Sequence, residues 1–382
     1  MGLLSSLFGK KDNDKVKATV TIEAKKEAPS LSPTLHLKGK PDANGLYPSE
    51  LVMLSYAEKY KTNETNFPAY LTNTYEIANP AKMLKNLQSK GYIEVGAAKD
   101  ALDGFKLPEL KEIASSLGIA VKGKKADIVA QLSKADEESL SQFVKERTWK
   151  LTESGQAALT ANPYIQYFLE KHPYNVTEVG VDIWTVNKEF VKNPKRPYRD
   201  IIYRQLNDQM NKASIAFQKD PASGSYNTHQ YCECHRLMGL FIEEEGKSYI
   251  NAADMYFQYL FKRINIHAGL QLLRSYALFK GDKKYQNEAI KRYYDDIQLY
   301  PFHKTELLRL INELEIEGDA VREAMITSFK RAKDTGIMTE QEAADFVILE
   351  LNGDGDKSRD LADKLAKRAL ACSSTSARRE RS

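Results

Sequence analysis

The sequence predicts a mainly α-helical protein with more than one domain. Glycine and proline are sparse, with 20 and 13 in 382 residues, so few positions interrupt a helix. Apolar residues recur at helical spacing over long stretches, and no long alternating run bounded by turn residues predicts a sheet. A chain of this length is typical of two or three domains.

Composition and charge exclude several classes of protein. No stretch approaches the roughly 20 apolar residues that a membrane-spanning helix needs, so we expect no integral membrane protein. Three cysteines in 382 residues exclude a disulfide scaffold and favour a cytoplasmic protein. The formal net charge of +4 is too small to indicate nucleic-acid binding, so only a local cluster of charge can point to it.

Composition also divides the chain into segments. Residues 1–44 are rich in lysine and glutamate with little apolar periodicity, and residues 371–382 are polar and basic, so we expect both ends to be disordered tails. Between them, residues 45–95 and 148–170 are predicted to form one split domain. Residues 96–147 form a module inserted into it, and residues 171–370 form a helical domain.

The split domain is predicted from helix signals that are followed by two short extended segments. Ser49 can cap a first helix, and the pair Asn79-Pro80 begins another, which runs to Lys90 and ends at Gly91. An extended segment, residues 92–95, follows directly. This order of elements is that of a helix-turn-helix followed by a wing.

Two stretches carry a resemblance to a known family. Residues 84–93 resemble the end of the recognition helix of winged-helix repressors, and residues 149–155 resemble their second wing strand. The resemblance implies that residues 92–95 and 149–152 pair as wing strands around an insertion. It makes residues 81–90 the recognition helix, whose polar face would read a DNA groove through Lys82, Lys85 and Asn86.

The inserted module carries the most specific motif. A helix closed by Gly118 is followed by a lysine-rich turn and a second helix, and this stretch resembles the SAP motif, a helix–turn–helix module that binds DNA in many chromatin and repair proteins. Ile119 replaces the usual leucine, and Lys122 stands where the family often has serine or threonine. The positions that match are Leu107, Leu110, Lys111, Leu117, Gly118, Gly123, Lys124, Ile128 and Leu132.

Charge in this module agrees with the resemblance. Residues 104–135 contain six lysines and three acidic residues. Three of the lysines stand where the second helix begins, and free backbone N–H groups and the helix dipole favour an anion there. The residues predicted to contact phosphates are Lys106, Lys111, Lys122, Gly123, Lys124 and Lys125.

The helical domain, by contrast, is predicted to contact protein. Residues 231–264 resemble one tetratricopeptide-type helical hairpin, although no fixed repeat period follows from the sequence. Residues 249–261 are rich in aromatic side chains, and we expect some of them to line a groove or a self-association surface. The residues concerned are Tyr249, Tyr256, Phe257, Tyr259 and Phe261.

No motif predicts a catalytic, cofactor or metal site. The run from His229 to His235 holds two histidines and two cysteines, but the cysteines point about 200° apart on a helix and no second cysteine pair exists. Residues 352–358 resemble a calcium loop, but Leu361 stands where a bidentate glutamate is needed. Phosphate loops and nucleophile elbows are lacking, so we expect no enzyme and no cofactor.

The sequence therefore predicts a DNA-binding protein without catalytic activity, in which the split domain and the module contact duplex DNA. This combination resembles SAP-containing proteins of bacterial, often prophage, genomes. Two alternatives stay open. The chain could be an interaction scaffold whose helical half binds a protein, or it could bind RNA, since some SAP-type modules occur in RNA-handling proteins.

Overall fold

The computed structural model describes residues 37–170, 179–219, 225–278, 282–332 and 336–379. Within these ranges the chain forms eighteen α-helices and one two-stranded sheet, which confirms the mainly α fold class. None of the helices in the described ranges is long and apolar enough to cross a bilayer. The described chain divides into an N-terminal unit, residues 37–170 and 182–201, and a C-terminal unit, residues 179–181 and 202–379.

The N-terminal unit is built from short helices and a small sheet. Single 3₁₀ segments follow its first helix, at Ala57–Lys59, and open the inserted module, at Ala98–Gly104. Its elements in chain order are α1 (Pro48–Tyr56), α2 (Ala69–Asn73), α3 (Pro80–Ser89), β1 (Ile93–Val95), α4 (Leu107–Ser116), α5 (Lys125–Leu132), α6 (Glu137–Phe143), β2 (Trp149–Leu151), α7 (Glu153–Ala161), α8 (Pro163–Glu170) and α9 (Ile183–Phe190).

The two strands pair across the inserted module. β1 and β2 run antiparallel, with Ile93 opposite Leu151 and Val95 opposite Trp149. The predicted pairing of these two segments is confirmed. Beyond the strands, the Gly96 N–H donates to the Thr148 carbonyl at 2.9 Å. The two ends of the insertion therefore lie side by side.

A buried carboxylate joins α1 to the α3 region. Glu50 is 0% exposed and accepts hydrogen bonds from Nδ2 of Asn86 at 3.0 Å and Nζ of Lys90 at 2.7 Å. Its other oxygen accepts the backbone N–H of Tyr47 at 3.0 Å and so caps the start of α1. Because hydrogen bonds to charged groups are stronger than neutral ones, this side chain fixes where α3 lies on α1.

The inserted module has a hydrophobic core of its own. One face of α4 meets one face of α5, and the 3₁₀ segment and α6 close the remaining sides. Leu107, which matches the SAP motif, is 37% exposed and is not a member of this core. The buried residues are Ala98, Ala101, Leu102, Leu110, Ile113, Ala114, Ile128, Leu132, Leu140 and Val144, and all of them belong to the insertion.

Two segments of the N-terminal unit differ from their predicted assignment. Residues 38–44, expected to be part of a disordered tail, contact the unit: the Lys40 N–H donates to Oδ1 of Asn187 at 2.8 Å, and Nδ2 of Asn187 donates to the Lys40 carbonyl at 3.0 Å. Asn187 lies on α9, which was predicted to belong to the helical domain. Its amide is buried and also donates to the Tyr164 hydroxyl at 3.1 Å, so α9 is held in the N-terminal unit.

The C-terminal unit consists of longer helices. A helix that begins in the N-terminal unit, α10 (Tyr198–Lys219), supplies its first element. The others are α11 (Ser225–Gly246), α12 (Tyr249–Phe261), α13 (Ala268–Leu278), α14 (Lys283–Ile297), α15 (Pro301–Glu313), α16 (Asp319–Ala332), α17 (Glu340–Asn352) and α18 (Gly355–Arg379). Helix α18 includes residues 371–379, which the sequence analysis assigned to a disordered tail.

Four of the five named aromatic residues of α12 lie in the core, so an exposed self-association surface could include only Tyr249 among them. Tyr256, Phe257, Tyr259 and Phe261 are each at most 4% exposed, whereas Tyr249 is 37% exposed. Helix α12 contacts α11, α15 and α16, so neighbours cover it on several sides. Helix α12 approaches α11 closely at Gly239 of α11. The sequence of α12 alone does not show how many helices surround it.

A buried carboxylate also ties together three helices of the C-terminal unit. Glu350 of α17 accepts hydrogen bonds from the Tyr294 hydroxyl at 3.1 Å, from Oγ of Ser358 at 2.6 Å and from the Leu299 N–H at 3.2 Å. Burial alone would raise the pKa of Glu350, but the hydrogen bonds from Ser358 and Leu299 bring it below its ordinary value. The carboxylate thereby links α14, α17 and α18.

Candidate nucleic-acid interface

Helix α3 presents the predicted recognition residues on its polar face. Oδ1 of Asn79 accepts the Lys82 N–H at 2.9 Å and caps the helix, as its sequence predicts. Lys82 and Lys85 are exposed on the face opposite the apolar residues. The buried residues of α3 are Pro80, Met83, Leu84 and Leu87.

Asn86 is placed differently from the two lysines. It is half-buried, and its amide nitrogen donates to Glu50. The amide that would read a base edge is therefore used to hold α3 on α1. The polar face that α3 offers to a groove consists of Lys82 and Lys85 rather than all three predicted residues.

The turn between α4 and α5 has a fixed backbone. Gly118 ends α4 with φ of +67°, and Gly123 has φ of +109°, both in the region that favours glycine. Oδ2 of Asp127 accepts the Lys124 N–H at 2.8 Å and caps α5. A Cβ at residue 123 would lie 2.4 Å from that oxygen, so both backbone angle and space require glycine.

Gln131 fixes the same turn from the other side. Its Nε2 donates to the Lys122 carbonyl at 2.9 Å and to the Asp127 carbonyl at 3.0 Å, while Oε1 accepts the Lys122 N–H at 3.4 Å. The sequence analysis did not single out Gln131, because this role depends on a contact nine residues back along the chain. The result is a turn whose backbone is held by side chains of α5.

The lysine side chains of the module have different partners. Nζ of Lys125 donates to the Asp103 carbonyl at 2.7 Å, which brings the start of α5 next to the segment that leads into α4. Lys125 therefore supports the fold of the module. The described part of the chain contains no ion pair or hydrogen-bond acceptor for the ammonium groups of four other exposed lysines, which are Lys106, Lys111, Lys122 and Lys124.

Lysines and acidic residues are distributed unevenly over the module. Three lysines cluster in the turn before α5, whereas α6 begins with Asp136, Glu137 and Glu138. Hydrogen bonds from Ser139 lower the pKa of Asp136 below its ordinary value. The densest group of lysines in the module is therefore the turn before α5.

The two stretches whose sequences suggested metal ligands have the following local structure. The described residues contain no group of three or more histidine, cysteine, aspartate or glutamate side chains that could hold a metal ion. Cys232 and Cys234 are both buried, and burial raises the pKa of the Cys234 thiol to about 12. In the stretch that resembles a calcium loop, Gly353 ends α17 with φ of +77° and α18 begins two residues later.

No family model matches the chain, and no curated protein or solved structure matches it either.

Proposed function

We propose that the N-terminal unit binds DNA and that the lysine turn, residues 122–125, contacts its phosphates. The supporting observation is a fixed backbone that carries the ammonium groups of Lys122 and Lys124, which have no partner among the described residues. Because Gly123, Asp127 and Gln131 already order the turn, binding would restrict only the lysine side chains. Such preorganisation reduces the entropy cost of association.

The position of the turn also suits an anion. It precedes the N-terminus of α5, where free N–H groups and the helix dipole attract negative charge. Asp127 caps this helix start and opposes that attraction, but the three lysines of the turn precede it directly. Contacts to phosphates position a protein on the duplex and carry no sequence information by themselves.

The split domain is proposed to be a winged helix that supplies the second contact. Three helices, α1 to α3, are followed by β1 and β2, and a bridge between Lys61 and Thr148 adds a further segment beside them. In this proposal α3 enters a groove with Lys82 and Lys85, and Asn86 positions the helix. Linking two weak modules in one chain raises affinity through effective concentration.

The two alternatives are affected differently by the structure. The scaffold hypothesis loses its main argument, because most aromatic residues of α12 are buried. RNA binding remains a possible outcome of the experiment below, because a phosphate contact alone does not separate DNA from RNA.

Salt-dependent binding tests the proposal. We would titrate the full chain with duplex DNA, single-stranded DNA and duplex RNA at several salt concentrations. Each phosphate contact contributes about −0.9 to the slope of log affinity against log salt, so Lys122→Glu with Lys124→Glu should flatten the slope for duplex DNA by roughly two.

A matched control uses Lys134→Glu with Lys145→Glu, two exposed lysines of the same module that lie outside the turn. This pair should change the slope by less than half as much. Equal slopes for the turn variant and the unchanged protein, with both folded, would remove the turn from the interface. Tighter binding to duplex RNA than to duplex DNA would replace the proposal with the RNA alternative.

A further inference from the structure

The C-terminal unit contains a polar cavity that the lysine surface does not explain. Its volume is about 420 Å³, within the range of small-molecule sites. Three helical walls form it: α11, the continuous helix from α12 to α13, and α14. The lining residues are His229, Cys232, Glu233, Tyr259, Arg263, His267, Gln271, Ser275, Arg292, Asp296 and Tyr300.

The middle wall is a stripe of polar residues at four-residue intervals. Tyr259, Arg263, His267, Gln271 and Ser275 all line the cavity. In a regular α-helix, steps of four residues drift by about 40° each, which would carry the last residues away from the first. Residues 262–267 form a π-helical turn, whose wider winding counteracts this drift. The π turn thus keeps the five side chains on one face.

Arg263 is held in place by the end of α14. Its Nη1 donates to the carbonyls of Ile297 and Gln298 at 3.4 and 3.3 Å, and its guanidinium lies 5.2 Å from the ring centre of Tyr300. A guanidinium has five N–H donors. Within the described residues, its Nε and Nη2 groups have no acceptor, so Arg263 is positioned with donors to spare.

The guanidinium groups of the cavity outnumber its carboxylates that have no ion pair outside the lining. Glu233 pairs with Arg236, which lies outside the lining, at 2.6 Å. Burial raises the pKa of Asp296, although Arg292 acts in the opposite direction. Arg263 and Arg292 make no ion pair with any carboxylate of the described chain. The cavity is therefore suited to a ligand that carries negative charge.

His267 supplies a buried group without a partner. Its Nδ1 is enclosed and has no hydrogen-bond partner among the described residues. Burial lowers the pKa of His267, and the neighbouring His229, Arg263 and Arg274 lower it further. A buried polar atom that stays unpaired costs free energy, which a ligand atom could recover.

We infer that this cavity binds a small hydroxylated organic anion, either a carboxylate or a phosphate monoester. Arg263 and Arg292 would hold the anionic group, since guanidinium groups match both carboxylate and phosphate oxygens. His267 would bond a further ligand atom through Nδ1. Glu233, Gln271 and Asp296 provide acceptors for hydroxyl groups. The polar lining disfavours an apolar ligand.

Calorimetry with two probe anions tests this inference. The full chain would be titrated with ribose 5-phosphate and with gluconate at constant ionic strength, with uncharged ribose as the control. We expect saturable binding of at least one anion and none of ribose, and the preferred anion identifies which of the two classes the cavity takes. Arg292→Gln, on an exposed part of the wall, should weaken that binding about tenfold.

Lys291→Gln is the matched control, because it removes a positive charge next to Arg292 on the same helix but outside the cavity. It should change affinity by less than about twofold. Binding of the probe should persist in the Lys122→Glu, Lys124→Glu variant. The inference is overturned if neither anion binds saturably, if Arg292→Gln and Lys291→Gln have equal effects, or if the lysine-turn variant abolishes binding.

Discussion

The two units of the chain differ in what determines their helices. Helices α1 to α9 are no longer than ten residues, and several begin at local caps such as Asn79, Thr152 and Asp182. The C-terminal unit contains helices of 22 and 25 residues. There, Asn265 exchanges two hydrogen bonds with the backbone of Met338, 73 residues away. Local caps therefore define where several short helices of the first unit begin, whereas this contact of the second unit joins residues far apart in sequence.

The described histidines and the tryptophans are also divided between the two units. The four histidines of the described residues all lie in the C-terminal unit, whereas both tryptophans of the chain, Trp149 and Trp184, lie in the N-terminal unit. Tryptophan fluorescence therefore reports on the first unit alone. Acid should act mainly on the second, and each unit can be perturbed and observed separately.

Acid should produce the largest difference between the units. Burial lowers the pKa of His303 to about 4 and that of His235 to about 3, while the unfolded side chains titrate near 6.5. The unfolded state therefore takes up protons first, and stability that is present above pH 6.5 is lost as the pH falls. At about pH 4.5 each histidine should cost the C-terminal unit roughly 2–3 kcal/mol of unfolding free energy.

Hydrogen exchange of α12 and α15 at pH 7 and pH 4.5 measures this loss, with tryptophan fluorescence as the internal reference. His303→Gln should reduce the pH dependence, and His229→Gln, at an exposed position, should preserve it. Equal loss of protection in both units would show that the buried histidines do not separate them.

Replacement of Glu50 should produce the next largest effect, confined to the N-terminal unit. Glu50→Gln removes the negative charge that accepts hydrogen bonds from Asn86 and Lys90. We therefore expect a loss of about 2 kcal/mol in unfolding free energy. Urea unfolding followed by tryptophan fluorescence gives this value. Glu94→Gln, on an exposed site of β1, should change it by less than about 0.5 kcal/mol. A similar loss in both variants would contradict the role of Glu50.

The smallest of the three effects concerns the lysine turn. Gly123→Ala places a side chain at φ of +109° and against Asp127, so we expect the module to lose about 1–2 kcal/mol. Gly104→Ala, where a Cβ meets no atom within 4 Å, is the control and should be nearly neutral. Hydrogen exchange within α4 and α5 distinguishes them. Unchanged protection in Gly123→Ala would show that the turn adapts without glycine.

Several helix and strand boundaries of the N-terminal unit are predicted from the sequence because their signals are local. The pair Asn79-Pro80 and Gly91 bound a helix that the structure places at Pro80–Ser89, and the two predicted strands are observed within one residue. The start of α1 shows the limit. Ser49 was expected to cap it, but Glu50 does so, and the Ser49 hydroxyl is buried without a hydrogen-bond partner in the described chain. The helix begins at Pro48, so Ser49 lies within its first turn and Glu50 accepts the N–H of the capping residue Tyr47.

Features that depend on distant residues were not predictable. The aromatic residues of α12 were expected to be partly exposed because the number of helices around them is not encoded in that stretch. The ordered residues 38–44 depend on Asn187, which lies far along the chain. The cavity residues recur every four positions, a pattern that also fits a solvated helix face. The π turn, which the sequence did not predict, keeps the stripe from Tyr259 to Ser275 on one wall.

The split connectivity of the N-terminal unit has a consequence for the order in which it folds. The pairing of β1 with β2 joins residues 93 and 151, and everything between them must be brought into a closed loop first. The module has its own core, and the hydrogen bond between Gly96 and Thr148 links its two ends. Once the module has folded, only a few residues remain to be closed between the two strands. We expect the module to fold before the strands meet, so that the piece which contacts DNA in our proposal also guides the assembly of the domain that contains it.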